Sequence, residues 1–207
     1  MVTVIIPCYN EETTIKDVIT DYQKYFDDIL VIDNNCTDNT AKIAEKCSAT
    51  VIQCNIQGKG AALRTAFNYL DSDYVVLTDG DSTYSAKDSY RLFNYTRYNR
   101  LDMTVGNRLA SDYFKHNQII HGFGNRLFSK IASIKYKHKV VDLLSGSRVL
   151  SKDFYKSLKL TKNGFEVETE ITKQCKRYEF LNISYNKRPT KSKLHTFKDG
   201  FKILKEI

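Results

Sequence analysis

Two carboxylates separated by one glycine, Asp79-Gly80-Asp81, follow a run of strand-forming residues, Val75-Val76-Leu77-Thr78. A strand end is a stiff mount, and an extended chain turns alternate side chains to one side, so both carboxylates would face the same space. Gly80, lacking a Cβ, lets the backbone come close to a bound molecule. Two hard oxygen ligands at this spacing suit Mg2+ or Mn2+ carrying a diphosphate. Such ions take one or two carboxylates and complete their shells with phosphate and water. The same letters also describe an acidic turn after a core strand, since Asp-Gly is a common turn pair.

Other residues able to do chemistry are less sharply grouped. Glu166, Glu168 and Glu170 alternate after Gly164, and Asp142 precedes a Ser-Gly-Ser-Arg turn. Any of these could serve as a general base or touch an acceptor, and helix-terminal acids or a turn aspartate are the plain alternatives. The four histidines, His116, His121, His138 and His195, are dispersed without ligand spacing, and no Ser-His-Asp or Cys-His constellation can be assembled. The five cysteines are odd in number and form no Cys-x-x-Cys pair, which argues against a disulfide framework and a zinc site.

Several elements must position these groups. Val2 to Ile6 is a β-branched apolar run stopped by Pro7, and Glu11 to Tyr25 shows helical spacing through Ile15, Val18, Ile19 and Tyr22. Ile29 to Ile32 predicts a second strand ending at Asp33; Thr37 is placed to cap a helix through Lys46. Thr50 to Gln53 reads as a third strand, Gly60 to Leu70 as a third helix, and Asp102 to Val105 as a later strand. The βαβαβαβ pattern predicts a mostly parallel sheet with helices on both faces, whose ligands sit beyond the carboxyl ends of the strands. Three polar clusters fall at those ends: Pro7 to Glu12, Asp33 to Asp38 and Asp79 to Thr83.

The chain of 207 residues fits one domain, 1–207, and its 42% hydrophobic and 27% charged residues describe a globular protein. No apolar run reaches the roughly 20 residues of a membrane span, and no signal peptide opens the chain, so the reading predicts a cytoplasmic protein. On that reading the sequons at Asn35, Asn94 and Asn182 carry no glycans. The net charge of +8 is concentrated in Lys115 to Lys139 and Lys187 to Lys205. Neither stretch looks like a nucleic-acid module, and nucleic acid is not expected as a partner. Phe123, Leu127, Ile131 and Ile134 recur at helical spacing among Arg126, Lys130, Lys135, Lys137 and Lys139. That suits a basic amphipathic helix lying peripherally on an anionic membrane, or a helix packed on the core.

Taken together, these motifs carry a resemblance. Val4-Ile5-Ile6-Pro7-Cys8-Tyr9-Asn10-Glu11-Glu12, Val31-Ile32-Asp33-Asn34-Asn35-Cys36-Thr37-Asp38-Asn39-Thr40, Gly58-Lys59-Gly60 and Asp79-Gly80-Asp81 resemble the family 2 glycosyltransferases of the Rossmann-like GT-A fold. Gly106-Asn107-Arg108, His121 to Arg126, Asp142 to Arg148, Gly164 to Glu170 and Arg188-Pro189 through Ser192-Lys193-Leu194 to Gly200 resemble the dolichol-phosphate mannose synthase type. The resemblance implies a nucleotide-diphosphate sugar (UDP- or GDP-) as donor, a polyprenyl phosphate as acceptor and a divalent metal. It implies that Pro7, Tyr9, Glu11 and Asp33 line the nucleoside pocket and that Asp79, Asp81 and Thr83 face the metal, with Gly80 behind the sugar or ribose. Arg108 then resembles the family arginine that grips phosphate, and Arg188 and Lys193 lie in a loop over the diphosphate. That loop is shortened here, at Thr190-Lys191. Lys59 lacks the P-loop pattern and is read as a packing and positioning residue.

The acceptor sets the mechanism expected. A phosphate monoester is a nucleophile at neutral pH without help, whereas a glycan hydroxyl needs a base, with Glu166, Glu168, Glu170 and Asp142 as candidates. A sugar-nucleotide uridylyl- or guanylyltransferase would show a glycine-rich loop after the first strand, and Pro7-Cys8-Tyr9-Asn10 is not one. A non-catalytic binding module would leave the three acidic strand ends without a purpose.

Overall fold

The computed structural model describes residues 1–111, 119–189 and 196–207, and of 119–123 and 196–198 the backbone alone. Along the chain β1 (Val2–Cys8), α1 (Ile15–Tyr22), β2 (Asp28–Asp33), α2 (Thr40–Lys46), β3 (Thr50–Gln53), α3 (Lys59–Tyr69) and β4 (Tyr74–Leu77) alternate as the sequence predicts. Then follow α4 (Ala86–Tyr98), β5 (Met103–Asn107), α5 (Ile119–Tyr136), β6 (Arg148–Ser151), α6 (Lys152–Ser157), α7 (Val167–Gln174), β7 (Tyr178–Asn182) and α8 (Thr196–Glu206).

The sheet order is β3-β2-β1-β4-β6-β5-β7. Only β6 runs against its neighbours, pairing antiparallel with both β4 and β5. After β1 the chain builds outward through β2 and β3, then returns to lay β4 on the other side of β1. Such a reversal opens a crevice at the carboxyl ends of the two strands, the usual ligand position in an open α/β sheet. Strand alternation feeds two cores. Ile5, Leu30, Ile32, Val75 and Leu77 pack under α3, α5, α7 and α8, while Val4, Ile6, Val31 and Val76 pack under α1, α2 and α4. Each such side chain, buried almost completely, contributes about 1.5–3 kcal/mol.

Several local expectations are corrected. β1 continues through Pro7, which pairs with Ile32. Ile5 and Pro7 direct their backbone groups toward β4, but β4 pairs only as far as Ile5. The missing Pro7 N–H therefore falls where no strand needs it. Helix α1 starts at Ile15 rather than near Glu11; before it, the N–H groups of Glu11 and Glu12 donate to Thr40 Oγ1 (2.8 Å) and Asp38 Oδ2 (3.1 Å). Thr37 does not cap α2. Its N–H donates to Asn10 Oδ1, and Asp38 Oδ1 instead accepts from the Thr40 N–H at 3.0 Å.

Helix α5 divides the apolar positions of the basic stretch. Phe128, Ile131 and Ala132 pack on the core, whereas Leu127 and Ile134 are exposed at 47% and 73%. The Phe123 side chain lies outside the description, as do the expected role of Lys193 and the shortened loop at Thr190-Lys191. The cysteines are all free, three of them buried. Among the described residues no helix is long and apolar enough to cross a membrane.

The start of α3 is fitted against the segment before α7. The Gly60 N–H donates to the Asn163 carbonyl at 2.7 Å, and a Cβ on Gly60 would stand 2.2 Å from the Lys162 carbonyl oxygen. Gly60→Ala is therefore expected to lower stability by about 1–3 kcal/mol through overpacking against backbone that cannot yield. A urea-unfolding midpoint equal to that of the unchanged protein would count against this fit.

Candidate active site

The crevice between the ends of β1 and β4 opens into a cleft of about 690 Å³, within the size range of small-molecule sites. Pro7, Tyr9 and Glu11 line it from the end of β1, Asp79, Gly80 and Asp81 from the turn after β4, and Arg188 from the segment beyond β7. The facing wall is Thr161 to Glu166. Both carboxylates lie past the last strand residue, Leu77, so a turn rather than an extended strand aims them. Nor is the space at Gly80 kept for a ligand, since a Cβ there would meet Cys8 Sγ at 2.9 Å and Glu11 Cγ at 3.3 Å.

The turn is tied from both sides of the sheet. Tyr22 on α1 donates to Thr78 Oγ1 at 2.7 Å and meets Ser89 Oγ on α4 at 2.7 Å, fixing the residue before Asp79. From the other side Lys59 Nζ reaches Asp79 Oδ1 at 2.6 Å and Glu168 Oε1 at 2.7 Å. Burial works against the Lys59 charge, but the carboxylates of Asp79 and Glu168 outweigh it and hold the ammonium well above the usual lysine range. Burial likewise pushes Asp79 up, and Lys59, then Arg188 and Arg108, bring it net below the ordinary carboxylate value. For Asp81 burial and the Asp79 charge prevail, so its carboxyl is raised despite Arg188 and Thr83. Two like charges this close are thus split, one firmly ionised and one held by its partners.

Thr83 serves Asp81 directly, its N–H and Oγ1 donating to Asp81 Oδ1 at 3.1 and 2.6 Å. The other oxygen, Oδ2, meets the Arg188 guanidinium. Six expected site residues are not among the described residues that line the cleft: Asp33, Thr83, Arg108, Asp142, Glu168 and Glu170. Asp33 Oδ1 accepts the Cys36 N–H at 2.8 Å as a turn residue. Its neighbour Asn34 lines the cleft instead, accepting the Gly58 N–H at 2.6 Å and donating to the Ile56 carbonyl at 2.6 Å. Glu168 stands behind Lys59. Glu170 is turned to the far wall, where it accepts the N–H groups of Thr161 (2.7 Å) and Lys162 (3.2 Å).

Arg108 and Asp142 form a buried pair. The guanidinium approaches Asp142 through Nε at 3.1 Å, donates to the Leu144 carbonyl at 2.7 Å and lies over the Tyr185 ring at 5.7 Å. Asp142 is fully buried and also accepts the Arg108 N–H at 3.0 Å and Asn125 Nδ2 at 2.5 Å. Nearby, Arg148 is buried with its donors on the carbonyls of Ser145 (2.8 Å) and Leu143 (2.6 Å) and on Thr172 Oγ1 (2.8 Å). Sequence reading missed Arg148 and Asn34, and it undervalued Lys59, whose one visible signal was its seat between two glycines at a helix start.

Removing one member of a buried ion pair leaves the other uncompensated, at a typical cost of about 3–5 kcal/mol. Asp142→Ala and Arg108→Ala are each expected to destabilise the fold by that amount in urea titrations. A loss within about 0.5 kcal/mol, as for a surface change, would mean that the pair is not structural.

With this geometry the chain can be compared with known proteins. Residues 3–159 match the family described as glycosyl transferase family 2. Glycosyltransferase AglJ of Haloferax volcanii is 32% identical over 214 aligned residues, covering 100% of this chain and 70% of the relative. A dolichyl-phosphate hexose transferase of the same organism is 28% identical over 210 residues, covering 99% of this chain and 91% of the relative. Among solved structures, glucosyl-3-phosphoglycerate synthase from Mycobacterium tuberculosis, in complex with Mn2+, UDP-Glc and phosphoglyceric acid, superposes with a TM-score of 0.75 at 18% identity, covering 100% of this chain and 78% of that one. The acidic turn at the β1/β4 crevice, the GT-A sheet that carries it and the match over most of the chain lead to one conclusion: this protein belongs to the family 2 glycosyltransferases.

Proposed function

We propose that this glycosyltransferase is a metal-dependent, inverting enzyme that takes a hexose from a UDP- or GDP-linked donor and passes it to a polyprenyl or dolichyl phosphate. The observation that carries the donor half is the Asp79–Asp81 pair on the cleft floor with Arg188 beside it. The donor set fits Mg2+ or Mn2+, for both side chains offer hard carboxylate oxygens. The buried Oδ2 of Asp81 already has a cation, Arg188, as its sole partner among the described residues. When bound, the ion neutralises charge gathering on the departing nucleoside diphosphate. The remaining work falls to the chain itself. Pro7, Tyr9 and Glu11 hold the nucleoside at the mouth of β1, and Lys59 keeps Asp79 ionised and still.

For the acceptor, support comes from the relative named a dolichyl-phosphate hexose transferase and from the occupied state of most candidate bases. Asp142, Glu168 and Glu170 are each bound to protein partners. A lipid phosphate needs none of them, since its second pKa is about 6 and one oxygen is already nucleophilic at neutral pH. That oxygen bonds to the anomeric carbon from the face opposite the diphosphate. The old carbon–oxygen bond breaks, its electron pair leaves with the nucleoside diphosphate, and the configuration inverts. Exposed Leu127 and Ile134 beside Arg126 and Lys130 on α5, and exposed Phe201 beside Lys205 on α8, suit peripheral contact with an anionic cytosolic leaflet.

One observation favours a second reading, transfer to a glycan hydroxyl. Glu166 lines the cleft, and its Oε2 is buried with no partner among the described residues, so it is the remaining candidate base.

A panel of UDP- and GDP-hexoses offered with polyprenyl phosphate and with soluble glycans tests both readings. The expected result is a lipid-linked product from the unchanged protein and from Glu166→Gln. Asp81→Asn is expected to lose turnover and metal-dependent donor binding while keeping its fold. An oligosaccharide product that disappears in Glu166→Gln would replace the lipid reading with the hydroxyl one. In parallel, the protein is expected to sediment with anionic vesicles and to be released by salt; retention in the supernatant would count against membrane contact.

A further inference from the structure

Asp81 divides its two oxygens between different kinds of partner. Oδ1 is fixed by Thr83, through an N–H at 3.1 Å and a hydroxyl at 2.6 Å. Oδ2 is buried, accepts no hydrogen bond from any other described group, and faces only the Arg188 guanidinium. The Asp81 side chain is 1% exposed, whereas that of Arg188 is 26% exposed and lines the cleft. A carboxylate so placed beside a second one, Asp79, keeps its charge only with a cation against it. A divalent ion on the same oxygen would stand beside the guanidinium, and their charges repel. A diphosphate removes the conflict. Its oxygens accept the planar fork of an arginine and ligate a divalent ion at the same time.

We propose that Arg188 is a placeholder for the metal: it holds Asp81 Oδ2 when the cleft lacks a nucleotide, and it transfers to the diphosphate when the ion and nucleotide arrive, so that the two load together. This rests on the donor-site reading above. The exchange involves one side chain at the cleft wall, and it couples two ligands through a contact that each of them alters. It also keeps a bare divalent ion from settling in the site alone.

The test measures Mn2+ binding to the full chain, by the loss of the free-ion electron paramagnetic resonance signal, without nucleotide and with UDP or GDP. Arg188→Gln removes the competing charge, and as a partly exposed change it leaves the core untouched; Arg188→Lys keeps the charge. The unchanged protein is expected to bind Mn2+ about tenfold or more tightly once a nucleotide is present, a normal size for coupling. Without nucleotide, Arg188→Gln is expected to bind Mn2+ about tenfold tighter than the unchanged protein and to gain less from nucleotide. Arg188→Lys should keep the original pattern, and Asp81→Asn should lose binding in both states. Equal nucleotide-free affinities for the unchanged protein and Arg188→Gln, with normal uptake alongside UDP or GDP, would overturn the placeholder and leave the donor site standing. Absence of uptake by either protein with either nucleotide would overturn the donor site and the placeholder together. Tight Mn2+ binding by Asp81→Asn would also overturn the proposal, because the ion would then not depend on the contested oxygen.

Discussion

Asp79 and Asp81 stand together where the sheet parts between β1 and β4, and their mutual repulsion has to be met by positive charge drawn from elsewhere in the chain. Lys59 comes from the first residue of α3 and Arg188 from beyond β7, so elements far apart in the chain converge on one turn. Compensation then spreads outward. Lys59 is shared with Glu168 at the start of α7. Arg108, which helps to lower Asp79, has its own charge met by Asp142. Most links are buried charges that lose their justification if their neighbour is removed, so the charges form one chain rather than a set of independent bridges.

The sheet explains why these groups can meet. Parallel strands put all their carboxyl ends on one side, and the reversal of order at β1 leaves room there for a ligand. The antiparallel strand β6 sits between β4 and β5 and runs away from that side. Its first residue, Arg148, therefore begins at the cleft end, where its guanidinium binds the carbonyls of Leu143 and Ser145. A parallel strand in the same place would deliver its last residue there instead. The segment from Asp142 to Ser147 is thus brought over the acidic turn, with Gly146 close to Asp79 and its N–H on the Tyr84 hydroxyl at 2.9 Å.

Much of this was legible in the residues because local physics and global fold agree. The β-branched runs at Val4 to Ile6 and Val31 to Ile32 are buried on both faces, and the acidic ends beside them have no place in a core. Where the reading missed, the missing information lay in contacts distant along the chain. Asp33 and Asn34 are adjacent, and which of them faces the cleft is decided by Gly58 and Ile56. Arg108 has the character of a phosphate-binding side chain, yet its partner Asp142 lies 34 residues on. Thr37 is an acceptable helix cap until Asn10 Nδ2 donates to its Oγ1. Residue type limits what a side chain can do, but a turn leaves its direction to the tertiary neighbours.

The fit between α3 and the far wall has a geometric meaning for the cleft. Lys59 reaches the floor at Asp79, Gly60 holds the Asn163 carbonyl, and Arg64, one turn later, donates to the Lys162 carbonyl at 2.6 Å. Floor and wall are thus gauged from the same helix, within two turns of its start. Glu170 fastens the wall from behind, so neither side can drift alone. The width of the cleft is therefore a dimension of one rigid body, set by the tilt and position of α3. Adapting such a cleft to a bulkier or slimmer ligand by changing only the residues in contact with it works against a fixed calliper. The productive variation lies in residues 60–64, which are not among the residues lining the cleft but set the distance between its floor and wall.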